Sequence, residues 1–192
     1  MNDTSNTDYL ENQFLIAMPQ LQDSYFANTV TYIWKHSDEG ALGIILNKPL
    51  QLTVGELFNE LEIDWNAEDS PLREQLVLSG GPVEADKGFI IHDAGDSWES
   101  SIHITPNVAI CTSKTILQDI AAGNGPENYI ITLGCAGWEA GQLEQEIGDN
   151  AWLTVPANSD LIYSPDHAEK IHRAAAILGI DMQQISPAAG HS

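Results

Sequence analysis

The sequence predicts an α+β domain in which a mixed, largely antiparallel sheet carries packed helices. Short runs rich in β-branched and aromatic residues outnumber the stretches with helical spacing. Several of those runs follow one another with only a turn between them, which a regular alternation of strand and helix would not give. A chain of 192 residues with 43% hydrophobic side chains is long and apolar enough to bury a substantial core as one domain. That domain is placed at residues 13–185, between a polar, flexible N-terminal tail (1–12) and a C-terminal tail (186–192).

The apolar run Phe14 to Met18, stopped by Pro19, reads as a buried strand. Thr29 to Trp34 is a second strand and Leu42 to Leu46 a third. Ser37-Asp38-Glu39-Gly40 has turn chemistry between them, so the pair is expected as a hairpin. Asn47-Lys48-Pro49 closes the third strand. Thr53 then serves as N-cap, with Glu56 completing a capping box, for a helix over 53–61 with Leu57 and Leu61 on one face. Residues 64–73 read as a loop. Leu76 to Leu78 is a strand ended by Gly80-Gly81-Pro82, and Gly88 to His92 is expected to hairpin back on it. Ile102 to Thr105 and Val108 to Cys111 are short strands around Pro106-Asn107. Ser113 to Ala122 is a helix with Ile116, Leu117 and Ile120 inward, broken by Gly123-Asn124-Gly125-Pro126. Tyr129 to Leu133 is a strand, and Gly134 to Gly141 leads into a helix that starts near Glu139 and ends near Gly148. Trp152 to Val155 is a late strand. Asp166 to Leu178 is a last helix, with Ile171, Ala174, Ala175 and Leu178 inward.

Charge narrows the partners. The chain has 28 acidic and 7 basic residues, for a formal net charge of -21. Binding to a phosphate backbone relies on Lys and Arg displacing counterions, and an anionic membrane surface makes the same demand. Nucleic acid and membrane are therefore disfavoured. The first eleven residues lack the basic and apolar regions of a signal peptide, and no apolar run approaches a membrane span. A cytoplasmic location is expected. Two cysteines, Cys111 and Cys135, make no secreted disulfide framework and read as packed thiols.

No motif assigns a reaction. Ser79-Gly80-Gly81-Pro82 with Gly88 lacks the spacing of a phosphate loop and reads either as a tight turn or as a ligand-facing loop. The six histidines are scattered and no Cys-x-x-Cys or His-Glu-x-x-His occurs, so neither a metal nor a cofactor is expected. His92, beside Asp93, is either a structural histidine or a proton-transfer group. There is no Gly-x-Ser-x-Gly elbow. Cys135 is the better thiol candidate, because a strand-to-helix turn would place it near a helix N-terminus that favours thiolate. On the helix expected from Glu139, Leu143 and Ile147 form an apolar stripe, while Glu139, Gln142 and Glu146 fall on a separate polar face. That face is either solvated or, with Trp138, the wall of a polar groove.

At these residues the sequence resembles the YqgE/AlgH family of bacterial proteins. The matching blocks are Phe14 to Pro19 with Leu21, Asp23 and Phe26, then Gly40 to Pro49, Gly80-Gly81-Pro82 and Gly88 to His92. Gly137-Trp138, Gly141 to Ile147 and Asn150 to Leu153 complete them. The resemblance implies an α+β fold whose mixed sheet curls into a pseudo-barrel with flanking helices. It brings no catalytic residues, and the AlgH name suggests transcriptional regulation without a mechanism. Relatives often carry a cysteine in the strand that here reads Tyr32-Ile33-Trp34 and a tyrosine in place of Cys135, so a redox role resting on that first cysteine does not transfer.

The expected function is that of a non-enzymatic binding or regulatory protein acting through a protein partner or a small ligand. The expected surface joins Asn47, Lys48, Pro49, Gly80, Gly81, Pro82, His92, Trp138, Gln142 and Glu146, because loops at strand ends gather binding residues on a rigid scaffold. The alternatives are a hydrolytic or thiol-dependent enzyme using His92, Glu146 or Cys135, and a transcriptional regulator binding DNA directly.

Overall fold

A computed structural model describes residues 9–21, 24–66, 70–95 and 98–185. Among these, the strands are β1 (Gln13–Ala17), β2 (Val30–Ser37), β3 (Gly40–Ile45), β4 (Pro49–Thr53), β5 (Leu76–Ser79), β6 (Val83–His92), β7 (Ile102–Thr105), β8 (Val108–Cys111), β9 (Tyr129–Glu139) and β10 (Trp152–Pro156). The helices are α1 (Val54–Glu60), α2 (Lys114–Ala122), α3 (Gln142–Gly148), α4 (Ser159–Ile162) and α5 (Lys170–Ile177). The strands form one sheet in the order β10-β1-β2-β3-β9-β6-β8-β7, with β5 on β9 and β4 on β5. The pairings are antiparallel except β5 with β9, and the sheet curls into a half-barrel.

Three apolar clusters follow from that curl. The first, with Phe14, Tyr32, Ile44, Phe89, Ile91 and Cys135, joins strands from both halves of the sheet and is closed by α4 and α5. The second lies under α1 and α2 and includes Phe58, Ile90, Cys111 and Ile116. The third gathers Leu15, Ile33, Trp138, Leu143 and Trp152 beneath α3 and the Phe26 segment. A residue on one sheet face belongs to a different cluster from its neighbour in the strand, as alternation requires. Cys135 packs in the first cluster and Ala136 in the third.

Local signals hold where they are self-contained. β2 and β3 form the expected hairpin. The Thr53 hydroxyl accepts from Glu56 N while the Glu56 carboxylate accepts from Thr53 N, a complete capping box on α1. Ser113 caps α2, and Gly123 ends it in the left-handed conformation. Other expectations change. Pro49 opens β4 rather than only closing β3, and α4 is an additional short helix. The last helix is Lys170–Ile177, and Leu178 beyond it is exposed rather than inward. Of the expected N-terminal tail, residues 9–12 are docked: Leu10 N donates to His36 Nδ1 and Asn12 N donates to Ile33 O. Residues 1–8 and 186–192 of the two tails, and Asp23, lie outside the described residues.

The expected hairpin between β5 and β6 does not form. Both strands pair with β9 at the same residues, Leu78 with Thr132 and Phe89 with Thr132, so they lie on opposite edges of β9. The chain between them must step across β9. It does so at Gly80-Gly81, directly over Gly134 and Cys135: a Cβ on Gly80 would meet Gly134 O, and one on Gly81 would meet the Cys135 backbone. The glycine pair exists because two backbones cross there without room for a side chain. Gly134 mirrors it at φ +76° and extends β9 rather than leading into a helix.

Candidate functional site

The expected surface residues separate into a connected set and an isolated one. The connected set begins at Asn47, whose Oδ1 accepts from Val30 N at 2.9 Å and whose Nδ2 donates to Asn28 O at 2.8 Å. Lys48 follows. Its ammonium donates to Tyr25 O at 2.9 Å and sits 3.3 Å from the centroid of the Tyr25 ring. The Tyr25 hydroxyl is hydrogen-bonded to Ser79 Oγ, and Ser79 N donates to Lys48 O at 2.8 Å. Gly80 N then donates to Leu133 O at 2.8 Å, and Gly80 O accepts from Ile45 N at 2.9 Å. Gly80 and Gly81 are buried, while Pro49 and Pro82 are exposed.

Phe26, next to Tyr25, carries the set toward α3. Its ring stacks on Trp138 at 6.1 Å between centroids and meets Trp152 edge-on at 5.5 Å. Glu146 bolts the two indoles together: its Oε2 accepts from Trp138 Nε1 at 2.9 Å and from Trp152 Nε1 at 2.8 Å. Its Oε1 accepts from Gln142 Nε2 at 2.9 Å, and Gln142 Oε1 accepts from Glu139 N at 2.9 Å. Trp138 and Trp152 are only 6% and 2% exposed. Of the polar face expected on α3, Glu146 is therefore turned inward onto the tryptophans, while Gln142 and Glu139 stay exposed. Glu139 is the last residue of β9, not part of the helix, because the strand runs on to it before Gly141 turns the chain.

His92 does not join this set. Its register partner on β9 is Tyr129, five residues from Gly134, or about 17 Å along a strand. The His92 side chain is buried and committed. Its Nδ1 lies 2.7 Å from Asp93 O, a carbonyl that can only accept, so the proton is on Nδ1 and Nε2 accepts from Ser101 Oγ at 3.2 Å. Burial lowers its pKa, with Asp93 opposing and His103 adding to the drop. Beyond it, Asp93, Asn107, Asn128, Asp160 and Tyr163 line an open polar cleft of about 450 Å³.

Cys135 is not at a helix N-terminus. It lies inside β9, buried, and burial with the nearby Glu84 carboxylate raises its pKa against a smaller pull from Lys87. Both cysteines are free thiols. Among the described residues, no group of three or more His, Cys, Asp or Glu side chains could hold a metal ion. No helix among them is long and apolar enough to cross a membrane.

Sequence reasoning missed Tyr25, Ser79 and Trp152 as members of the set. Phe26 and Trp152 stood in matching blocks, but no spacing ties Tyr25 to Lys48 or Ser79, because the contacts join separate segments.

A family model described as AlgH-like matches residues 14–183, nearly the whole folded chain. The chain belongs to the AlgH-like family. A UPF0301 protein of Xanthomonas oryzae pv. oryzae is 44% identical over 183 residues, covering 95% of this chain and 96% of its own length. One from Xanthomonas axonopodis pv. citri is 43% identical over the same shares. The solution structure of the AlgH protein from Pseudomonas aeruginosa is similar at a TM-score of 0.79 and 42% identity, covering 100% of both chains. A crystal structure of a protein from Corynebacterium diphtheriae has a TM-score of 0.66 at 19% identity, covering 85% of this chain and 84% of its own, a likeness of fold alone. The AlgH-like match takes in the tryptophan bolt, the glycine crossing and His92 alike and singles out none of them.

Proposed function

We propose that this AlgH-like chain is a cytoplasmic binding protein that acts by engaging a protein partner at the surface around Tyr25. The observation that carries this reading is Tyr25 itself. It is 41% exposed, yet its ring is fixed beneath the Lys48 ammonium and its hydroxyl is tied to Ser79. A rigid, amphipathic aromatic on a fixed platform is the side chain that loses least conformational freedom on binding, and such residues dominate interface energetics. Four residues past Ser79, beyond the exposed Pro82, Val83 is 42% exposed and adds apolar area.

The groups offered for chemistry support binding over catalysis. Glu146 is occupied by three donors, His92 uses both ring nitrogens internally, and the Cys135 thiol is held in its protonated form. A regulatory effect would then pass through a protein partner rather than through DNA. Of the seven basic residues only Lys170 and Arg173 share an element, α5, and Lys170 is fully buried there. Two free thiols buried in different clusters suit a reducing compartment.

Affinity capture from cell extract, with the immobilised chain compared against Tyr25→Ala and Val83→Ser, tests the reading. The partner retained by the natural chain is expected to fall at least tenfold on Tyr25→Ala, with melting lowered by only a few degrees. Equal capture by the natural chain and a double Tyr25→Ala, Val83→Ser variant that remains folded would refute it.

A further inference from the structure

The docked residues 9–11 gather around one histidine. His36, near the end of β2, is buried, and Leu10 N donates to its Nδ1 at 2.9 Å. Only an unprotonated nitrogen accepts, so the ring proton is on Nε2, which donates to Glu144 Oε1 on α3 at 2.7 Å. The neutral ring thus joins two elements at once. Tyr9 closes over it edge-on, with ring centroids 5.5 Å apart, and the Tyr9 hydroxyl donates to Asp38 Oδ1 at 2.8 Å. Glu11 Oε1 accepts from His36 N at 3.3 Å. The titratable groups about the ring are therefore Tyr9, Glu11, Asp38 and Glu144. Leu10 packs on the third apolar cluster, beside Trp138 and Leu143.

We infer that residues 9–11 are a proton-gated strap, latched by neutral His36 and released when the imidazole is protonated. A proton added at Nδ1 points at the Leu10 N–H, so a hydrogen bond becomes a contact between two donors. The Glu144 carboxylate keeps its bond and gains a full charge partner, so the protonated ring is held by α3 while the strap is rejected. Asn12 stays pinned, because Asn12 N donates to Ile33 O at 2.8 Å and Asn12 O accepts from Ala157 N at 3.0 Å. Release therefore frees residues 9–11 and uncovers the part of the third cluster that Leu10 covers. Linkage runs both ways: whatever holds the strap down holds the ring neutral.

Backbone amide exchange and histidine ring shifts, followed by NMR on the full chain from about pH 8 to about pH 5, read both halves of the device across the range in which imidazoles ionise. After correction for intrinsic exchange, Leu10 protection is expected to fall at least tenfold in step with the His36 ring shift, while Asn12 keeps its protection. Leu10→Pro lacks the donor and leaves Tyr9 undocked at every pH. Protection of Leu10 that stays flat to pH 5 overturns the proposal, as does loss of Leu10 and Asn12 protection together, which would be general acid unfolding.

Discussion

The bolt between Trp138, Trp152 and Glu146 gives a direct test of whether α3 presents a recognition face or holds the fold. In Glu146→Ala, two indole N–H groups that are 6% and 2% exposed as residues lose a shared charged acceptor. Hydrogen bonds to charged groups contribute about 1.5–3 kcal/mol each, and an orphaned buried donor keeps its desolvation cost. Water can reach part of the half-buried space that the carboxylate vacates, so the loss comes to about 2–4 kcal/mol rather than the full sum. For a chain of this size, each kcal/mol lowers the melting temperature by about 2–4 °C, which predicts a drop of about 4–16 °C. Glu146→Gln keeps one oxygen that both indoles can reach, and should lose less than half as much. Gln142→Ala removes only exposed contacts and should cost under about 1 kcal/mol. Differential scanning calorimetry with near-ultraviolet circular dichroism, which reports the tryptophan environment, measures all three. A Glu146→Ala variant melting within about 2 °C of the natural chain would refute the inward reading of this face.

Two further predictions concern the core. Lys170 is fully buried, its ammonium donating to Leu46 O at 3.1 Å and Ile162 O at 2.9 Å. Burial, with repulsion from Arg173, brings its pKa down to about 7. The unfolded chain, where this lysine titrates near 10.4, therefore binds more protons than the folded one between those values, and stability should rise with pH across that window by up to about 1.4 kcal/mol per unit. Urea unfolding at about pH 7.5, 8.5 and 9.5 should show the rise in the natural chain and a flatter profile in Lys170→Met; parallel profiles would exclude Lys170 as the source. Gly81 has φ +151°, and a Cβ there would run into the Cys135 backbone. Gly81→Ala should cost more than about 3 kcal/mol through combined clash and backbone strain, and a variant with the natural urea midpoint would show that the chain does not cross β9 there.

What could be read from the sequence was whatever is settled within a few residues. The Thr53 capping box needs only Glu56, and the β2–β3 hairpin needs only its turn, so both were legible. Gly80-Gly81 was legible as a backbone constraint but not as a crossing, because the reason lies at Gly134, more than fifty residues on. Gly134 suggested the end of a strand, yet β9 runs through it, since this glycine marks close approach of another backbone rather than a turn. The error over Cys135 follows from that one: with the strand prolonged, the thiol loses the helix terminus that would have activated it and gains burial that does the opposite. The spacing of Gln142 and Glu146 was right as geometry. Trp138 and Trp152 approach from flanking strands and turn Glu146 inward, while Gln142 stays exposed.

Local charge on the folded chain points the same way as total charge. A chain of net charge -21 could still hold a polyanion if its few cations clustered. They do not. Lys170 is sealed in the core, Lys48 lies over Tyr25, and Lys114 donates to Leu61 O at 2.9 Å. Lys87 faces Glu84 at 3.6 Å, and Arg173 donates to Ser164 Oγ at 2.8 Å. Lys35 and Arg73 stand apart, on β2 and in the turn before β5. Only Lys170 and Arg173 share an element, α5, and with Lys170 sealed inside they make no surface stripe, so the acidic field is not inverted locally. The partner sought at Tyr25 should therefore be neutral or basic, and its association should weaken as salt is raised if it is basic and hold steady if it is apolar.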